Sequence, residues 1–128
     1  MDNPEDRKYT KGHEWAKKEG ELIVVGITDF AQHALTDIVF VELPEKGKEL
    51  EKGKQMCVVE SVKSVSDIFA PVNGEVAEVN SELENSPEKL NQAPFDSWLV
   101  KIKPKDPAEF DSLMSSQQYN EYVAGLEH

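Results

Sequence analysis

The sequence has a single cysteine, Cys57, so no disulfide can form within the chain. Cys57 falls inside a run of β-favouring residues, which predicts a buried structural thiol rather than a reactive one. Long apolar runs are absent as well: none approaches the about 20 residues that a membrane-spanning helix needs. The mean hydropathy is −0.56. The composition therefore predicts a soluble chain that does not cross a membrane.

Basic residues are scarce. The chain has 14 Lys and Arg against 25 Asp and Glu, which gives a formal net charge of −11. Such a charge repels phosphate backbones and anionic lipids, so it argues against nucleic-acid binding and against binding at a membrane surface. It favours partners that present basic surfaces.

The motifs of the common enzyme classes are missing. The chain contains no G-x-S-x-G elbow, no phosphate-binding G-x-x-x-x-G-K-[ST] loop and no G-x-G-x-x-G. Its three histidines, His13, His33 and His128, do not pair at metal-binding spacing, and no second cysteine joins them. His13 could act as a general base, but no nucleophile lies at a telling spacing. A Ser–His–Asp site assembled from distant parts of the chain stays open at this point.

A length of 128 residues is enough for one domain with a real core. Residues 1–7 are charged and predict a loose N-terminus. They resemble neither a secretory signal nor an Arg-rich transit peptide, so we expect a cytoplasmic protein, or a mature form in the mitochondrial matrix.

Short β-favouring segments recur along the chain, separated by turn residues, which predicts a mostly-β sandwich or flattened barrel. The spacing leaves room for three or so short peripheral helices. Thr28 is a suitable N-cap for the first, Pro94 ends the second, and residues 106–125 predict C-terminal helices. Lys46 to Lys54 is charged and predicts an exposed connection. The clearest strands are Leu22 to Ile27, Asp37 to Leu43, Glu75 to Val79 and Trp98 to Ile102.

The most informative segment is a predicted hairpin. Its strands are Gln55 to Glu60 and Val65 to Ala70, and the four residues between them, Ser61-Val62-Lys63-Ser64, suit a tight turn. Lys63 therefore stands at the tip, and the side chains of Ser61 and Ser64 are expected to bond the turn backbone and keep the tip ordered. Two interpretations are open: an ordinary solvated charge, or an attachment point for a swinging lipoamide or biotin arm.

Residues 60–76, E-S-V-K-S-V-S-D-I-F-A-P-V-N-G-E-V, resemble the lipoylation segment of the glycine cleavage system H-protein family. Three further blocks resemble that family, in the same order along the chain. They are Lys8-Tyr9-Thr10 with His13-Glu14-Trp15, then residues 26–32 followed by residues 37–44, and then Trp98-Leu99-Val100-Lys101-Ile102. Thr36 departs from the family pattern, which has glycine before Asp37, so the turn after the first helix is expected to differ.

The resemblance implies the barrel-sandwich hybrid fold of lipoyl and biotinyl carriers, with (R)-lipoate joined to Lys63 through an amide. It implies a carrier that is not itself an enzyme. The arm would take the aminomethyl group of glycine from glycine decarboxylase (the P protein) to the aminomethyltransferase (the T protein). Dihydrolipoyl dehydrogenase (the L protein) would then reoxidise the dithiol, and a lipoate ligase or lipoyltransferase would load the lysine.

The aminomethyl cargo is cationic when protonated, so a carboxylate in a nearby cleft would hold it. Glu14, in the opening strand, and Asp67, in the return strand of the hairpin, are the candidates; the alternative is that both are ordinary surface acids. No metal site is expected.

Other functions compete with this one. The chain could be a lipoyl domain of a 2-oxoacid dehydrogenase or a biotinyl domain, although biotin sites normally have methionines beside the lysine, where this chain has Val62 and Ser64. It could be a relay protein that donates its lipoyl group to other complexes. It could also be an unmodified binding or structural module.

Overall fold

Two antiparallel sheets form the body of the computed structural model, which describes residues 3–126. The larger sheet has six strands, and its order across the sheet is β1-β2-β3-β9-β8-β5. The smaller sheet has the order β4-β6-β7. The strands are β1 Lys8–Tyr9, β2 Glu14–Glu19, β3 Leu22–Ile27, β4 Ile38–Glu42, β5 Glu49–Leu50, β6 Gln55–Ser61, β7 Val65–Phe69, β8 Gly74–Val79 and β9 Val100–Pro104.

The main core lies between the sheets, because each sheet presents a row of branched apolar side chains to the other. Val25 and Ile102 come from the larger sheet, and Val41 and Val59 from the smaller one; all four are fully buried. Strand β4 buries Ile38 and Val41 and exposes Val39, Phe40 and Glu42, with a register shift against β6 between Ile38 and Phe40. The prediction of a mostly-β sandwich is confirmed.

Five short helices accompany the sheets in the described residues: α1 Asp29–Leu35, α2 Glu82–Asn85, α3 Lys89–Gln92, α4 Ala108–Asp111 and α5 Ser116–Leu126. Helix α1 begins as predicted, because the Thr28 hydroxyl accepts a hydrogen bond from the amide of Ala31 at 3.2 Å. Helix α3 ends before Pro94, also as predicted. Helix α2 was not predicted, since four residues are too few to show a helical period; its Leu83 is fully buried.

The C-terminal segment differs in detail from the prediction. Met114 was expected in a helix that continues from Phe110, but α4 stops at Asp111. Met114 instead forms a bridge with Tyr9, with backbone hydrogen bonds of 2.8 and 2.9 Å in the two directions. Helix α5 then packs against β1, where the ring of Tyr119 stacks on that of Tyr9 at 4.8 Å. The bridge and the helix thus place Met114 beside the opening strand.

The prediction of an exposed connection from Lys46 to Lys54 is wrong at its centre. Glu49–Leu50 forms β5 and pairs with the start of β8, and Leu50 is only 4% exposed. Leu50 is one apolar residue among charged neighbours, so the sequence shows no alternation that would reveal the strand.

The N-terminus was predicted to be loose over residues 1–7, but Arg7 is held by contacts with the rest of the fold. Met1 and Asp2 lie outside the described residues. The Arg7 guanidinium lies 4.6 Å from the ring centroid of Trp15 and donates to the carbonyl of Phe95 at 2.8 Å. Cation–π contact and a hydrogen bond to a charged donor are enough to order a short terminal segment.

Thr36, where the family pattern has glycine, ends α1 with φ 64° and ψ −147°. A β-branched residue rarely adopts positive φ, because its Cβ clashes with the backbone. The chain keeps the conformation through two hydrogen bonds: the Thr36 amide donates to the carbonyl of Gln32 at 3.0 Å, and Asn91 donates to the Thr36 carbonyl at 2.7 Å.

Candidate functional site: a lysine hairpin and an acidic cleft

The predicted hairpin is present, with Glu60 opposite Val65 as its last pair. Ser61 closes the turn. Its amide donates to the carbonyl of Ser64 at 2.8 Å, and its hydroxyl oxygen accepts from the amides of Lys63 and Ser64 at 3.2 and 3.0 Å. Both serines were expected to bond the turn backbone, but among the described residues only the side chain of Ser61 does so. The tip is therefore an ordered element.

Lys63 is exposed at this tip. Its neighbours Val62 and Val65 are 69% and 65% exposed, so the amine stands among exposed apolar side chains that leave it open to an approaching enzyme. None of the ion pairs between residues 3 and 126 includes Lys63. A buried or pinned amine would have excluded an attachment role, and the structure shows neither.

The outer face of the smaller sheet continues from the tip. Here we call "outer face" the exposed side chains Phe40, Glu42, Val65, Asp67 and Phe69. Two rows cross the sheet: Phe40, Glu60 and Val65 in one, and Glu42, Val58 and Asp67 in the next. The surface next to Lys63 thus mixes apolar and acidic groups.

A cleft of about 380 Å³ lies between the opening strand, the end of β7 and the segment after α4. Backbone from four distant parts of the chain meets here, which the bridge between Tyr9 and Met114 makes possible. Its lining residues are Tyr9, Thr10, Lys11, Gly12, Glu14, Lys52, Gly53, Phe69, Ala70, Pro71, Ser112, Leu113 and Met114.

Glu14 is the buried acid of this cleft, with only 2% of its surface exposed. The Thr10 hydroxyl donates to its Oε1, and the amide of Phe69 approaches Oε2 at 3.4 Å. Burial raises the pKa of the Glu14 carboxyl, and the hydrogen bonds from Thr10 and Phe69 offset part of that rise. No ion pair of the described chain includes this side chain, so Glu14 is a buried acid without a resident cation among those residues.

Asp67, the second predicted acid, lies elsewhere. It is exposed on β7, it accepts a hydrogen bond from Gln55 Nε2 at 2.7 Å, and it is not among the residues that line the cleft. Asp67 and Phe69 are two residues apart on one strand, so their side chains leave the same face, and Phe69 does reach the cleft. The structure therefore brings Glu14 into the cleft and leaves Asp67 on the neighbouring surface.

His13, considered above as a general base, belongs to an aromatic cluster. Its Nδ1 lies 2.8 Å from the hydroxyl of Tyr119, which lies 2.8 Å from the hydroxyl of Thr28, and the imidazole ring lies 4.4 Å from that of Phe30. Burial lowers the pKa of His13. His33 is exposed, and His128 lies outside the described residues. Residues 3–126 contain no cluster of His, Cys, Asp and Glu that could hold a metal ion.

Two further predictions concern the rest of the molecule. Cys57 is buried, as expected, and burial raises the pKa of its thiol. In the part of the chain that the structure describes, no helix has both the length and the apolar character to cross a bilayer.

Sequence reasoning missed several residues of the site, above all Thr10, Gly12 and Met114. Thr10 lies four residues before Glu14, a spacing that has no meaning until the turn between them is seen. Gly12 and Met114 gave no signal at all, because their role depends on contacts between distant segments.

A β sandwich with a free lysine on a rigid hairpin, and an acid-containing cleft reached by the return strand, defines a protein of the group-carrier class. The comparisons with known proteins narrow this class. The family model described as "Glycine cleavage H-protein" matches residues 7–125.

A glycine cleavage system H protein of Thermus thermophilus is 54% identical over 124 residues, which cover 96% of this chain and 97% of the relative. A probable glycine cleavage system H protein of Pyrococcus horikoshii is 54% identical over 120 residues, covering 92% and 90%. The crystal structure of a glycine cleavage system H protein from Mycobacterium marinum matches with a TM-score of 0.85 at 34% identity, covering 98% of this chain and 100% of that one.

The chain therefore belongs to the glycine cleavage H-protein family. Members of this family are lipoyl carriers of the glycine cleavage system and not catalysts, so the predicted family, function and lack of enzymatic activity are confirmed. The family match also decides against a 2-oxoacid dehydrogenase domain and a biotinyl domain.

Proposed function

We propose that Lys63 of this chain carries (R)-lipoate through an amide, as the carrier lysine of the glycine cleavage system. The observation that supports it most strongly is the exposed amine on an ordered hairpin tip, which has no ion-pair partner among residues 3–126. When bound, lipoate would supply a disulfide that accepts the aminomethyl group of glycine and two electrons. The residues of the chain anchor the arm, shelter its end and present it to other enzymes.

The cleft suits the end of such an arm. Val65 to Phe69 runs from the tip to the cleft, a path of about 13 Å at roughly 3.3 Å per residue. Met114, Leu113 and Phe69 offer apolar contact, and Glu14 supplies one acidic group. Lys11 and Lys52 also line the cleft, and Glu14 is the one acid in its lining. An apolar cleft that contains an acid can hold an apolar chain that ends in a cation.

Glu14 would hold the cationic cargo. A buried carboxylate without a resident cation gains strongly from pairing with an incoming ammonium group, because both charges lose water and regain a partner. While its nitrogen stays protonated, the cargo has no lone pair with which to expel the sulfur. Asp67 would be a second, exposed acid along the path of the arm from Lys63 to the cleft. It lies on the face of β7 from which Phe69 enters the cleft.

The partners would be the decarboxylase, the aminomethyltransferase, dihydrolipoyl dehydrogenase, and a lipoate ligase or lipoyltransferase. The outer face supports this set, since it surrounds Lys63 with exposed apolar side chains and the acids Glu42 and Asp67. A partner with an apolar centre and a basic rim fits such a surface, and long-range attraction to a chain of charge −11 would speed the encounter. We place this work in the cytoplasm.

Intact mass with peptide mapping tests the attachment. We expect co-expression with a lipoate ligase and added lipoate to give one lipoyl addition, on the peptide that contains Lys63. Lys63→Arg should abolish it. Lys46→Arg is the matched control, because Lys46 is also an exposed lysine in a turn and has no ion pair among the described residues. A lipoyl group that persists in the Lys63→Arg protein would show that the attachment site is elsewhere.

A separate experiment tests the cleft. The loaded carrier decays in water to thiol, formaldehyde and ammonium, and the release of ammonia gives the rate. Glu14→Gln should speed this decay about tenfold, which corresponds to the loss of one hydrogen bond to a charged group. An unchanged rate in the Glu14→Gln protein would remove Glu14 from this role without affecting the assignment of Lys63.

A further inference from the structure

Glu14 is held by a turn that begins at Thr10. The Thr10 amide donates to the carbonyl of Glu14 at 3.0 Å, and the His13 amide donates to the carbonyl of Thr10 at 3.1 Å. The Thr10 hydroxyl has two partners. It accepts from the amide of Glu14 at 3.1 Å and donates its own proton to Oε1 of the same residue. A single hydroxyl thus ties the carboxylate to the backbone that carries it.

Gly12 lies against the same carboxylate. A Cβ built on Gly12 would stand 2.8 Å from Oε2 and 3.0 Å from Oε1 of Glu14, closer than unbonded atoms of these types approach. Any larger residue at position 12 would therefore displace the carboxylate from its present place. Because the obstructed group is the end of a flexible side chain, it could move without unfolding the protein.

The remaining surroundings of Glu14 do not fix its carboxylate as firmly. Phe69 contributes one long hydrogen bond to Oε2, at 3.4 Å. The other titratable groups near Glu14 are Tyr9, Lys11 and Lys52, which line the cleft, together with Cys57 and Tyr119, and none of them forms a hydrogen bond or an ion pair with it among residues 3–126. Thr10 is therefore the strongest constraint on the carboxylate.

We infer that Thr10 is a positioning residue, whose hydroxyl aims the Glu14 carboxylate into the cleft, and that the absence of a side chain at Gly12 provides the space for that position. The inference rests on the proposed role of Glu14 as the group that holds the cargo. The turn before β2 then has a second function, which is to position the carboxylate of Glu14.

The direct test uses the unmodified protein, so that it does not depend on lipoylation. The side-chain carboxyl carbon of Glu14 is followed by ¹³C NMR across a pH titration. Thr10→Val removes the hydroxyl but keeps the shape, and we expect the titration midpoint of Glu14 to rise above that of the parent protein, since a hydrogen bond that favours the carboxylate is gone. Thr10→Ser keeps the hydroxyl and should restore the midpoint.

Gly12→Ala tests the second half of the inference. We expect the Glu14 carboxyl resonance to move, while the melting temperature changes little. Gly125→Ala is the control, because a Cβ on Gly125 meets nothing within 4 Å, and it should leave the resonance unchanged. If Thr10→Val and Gly12→Ala both leave the Glu14 resonance and its midpoint as they are, the inference is overturned, whatever their effect on stability.

The decay of the loaded carrier separates this inference from the proposed function. We expect Thr10→Val to speed ammonia release in the same direction as Glu14→Gln and Thr10→Ser to leave it at the parent rate. If Glu14→Gln alone speeds the decay, the role of Glu14 stands and the positioning role of Thr10 fails. If Glu14→Gln has no effect while Thr10→Val still shifts the NMR midpoint, Thr10 positions Glu14 but the proposed role of the cleft fails.

Discussion

The backbone amide of Phe69, at the end of the hairpin's return strand, donates to the buried carboxylate of Glu14, at the start of β2, over 3.4 Å. This bond joins the two sheets at one point. It also joins the two parts of the proposed mechanism, since the strand that descends from Lys63 ends on the acid that would receive the cargo. Substitutions of Glu14 should therefore change the stability of the fold as well as the decay rate of the loaded carrier.

Glu14 should make stability depend on pH. Because burial raises its pKa in the folded state, folding favours the protonated form. Below the pKa of the unfolded chain both states are protonated, and the carboxyl costs nothing. As pH rises from the unfolded pKa to the folded pKa, the unfolded chain ionises first and stability falls; above the folded pKa both states are ionised and the loss stays constant.

Glu14→Gln removes this cost. We expect its melting temperature to exceed that of the parent protein at pH 7 to 8, with a difference that shrinks as pH falls below the unfolded pKa of about 4.3. Thermal melts at several pH values measure it. A constant difference across the whole range would contradict the assignment of a raised pKa.

The turn at the hairpin tip should depend on one serine and not on the other. Ser61→Ala removes the acceptor of the Lys63 and Ser64 amides, and we expect a loss of roughly 1 kcal/mol, together with faster hydrogen exchange at those two amides. Ser64→Ala is the matched control, because its side chain makes no hydrogen bond among the described residues. Equal exchange rates in the two variants would show that the Ser61 hydroxyl does not order the tip.

Thr36 stores strain that glycine would release. A non-glycine residue in this region of φ and ψ costs about 1–3 kcal/mol, and the greater freedom of glycine in the unfolded chain returns about 0.5–1 kcal/mol of that. We therefore expect Thr36→Gly to stabilise the protein by about 1 kcal/mol in denaturant unfolding. Thr36→Ala keeps a Cβ and should gain much less; if the two variants gain equally, the Cβ is not the source of the strain.

The hydroxyl of Tyr119 should hold α5 against the opening turn. Tyr119→Phe removes the hydrogen-bond partner of His13 Nδ1 and leaves the Thr28 hydroxyl with only the Ala31 amide, and we expect a cost of about 2 kcal/mol. Tyr122→Phe serves as the comparison, because the Tyr122 hydroxyl makes only a 3.4 Å contact with the Lys11 carbonyl, and it should cost less than half as much. Chemical denaturation of both variants measures the difference.

Sequence patterns predicted what depends on neighbouring residues. The alternation in β8, the cap at Thr28 and the four-residue turn around Lys63 are all local, and they are present where expected. Strand β5 was missed because a two-residue strand has no period to recognise, and its burial follows only from pairing with β8.

The cleft could not be predicted in the same way. It exists because Met114 bridges to Tyr9 and because β7 ends beside β2, and both are long-range contacts. Glu14 and Asp67 were both chosen from their positions in resembling blocks; Glu14 is buried and lines the cleft, whereas Asp67 does not line it. The ordering of Arg7 could not be predicted either. Its guanidinium lies over the rings of Trp15 and Phe95, and Phe95 is distant in sequence.

The isolation of the Lys63 ammonium within the described chain has a practical consequence for handling the protein. Converting that ammonium to an amide would orphan no carboxylate, so the loaded and unloaded forms should fold alike and coexist in one preparation. They would nevertheless differ by one unit of charge on an already acidic chain. Anion-exchange chromatography should therefore resolve them, with the lipoylated form eluting later.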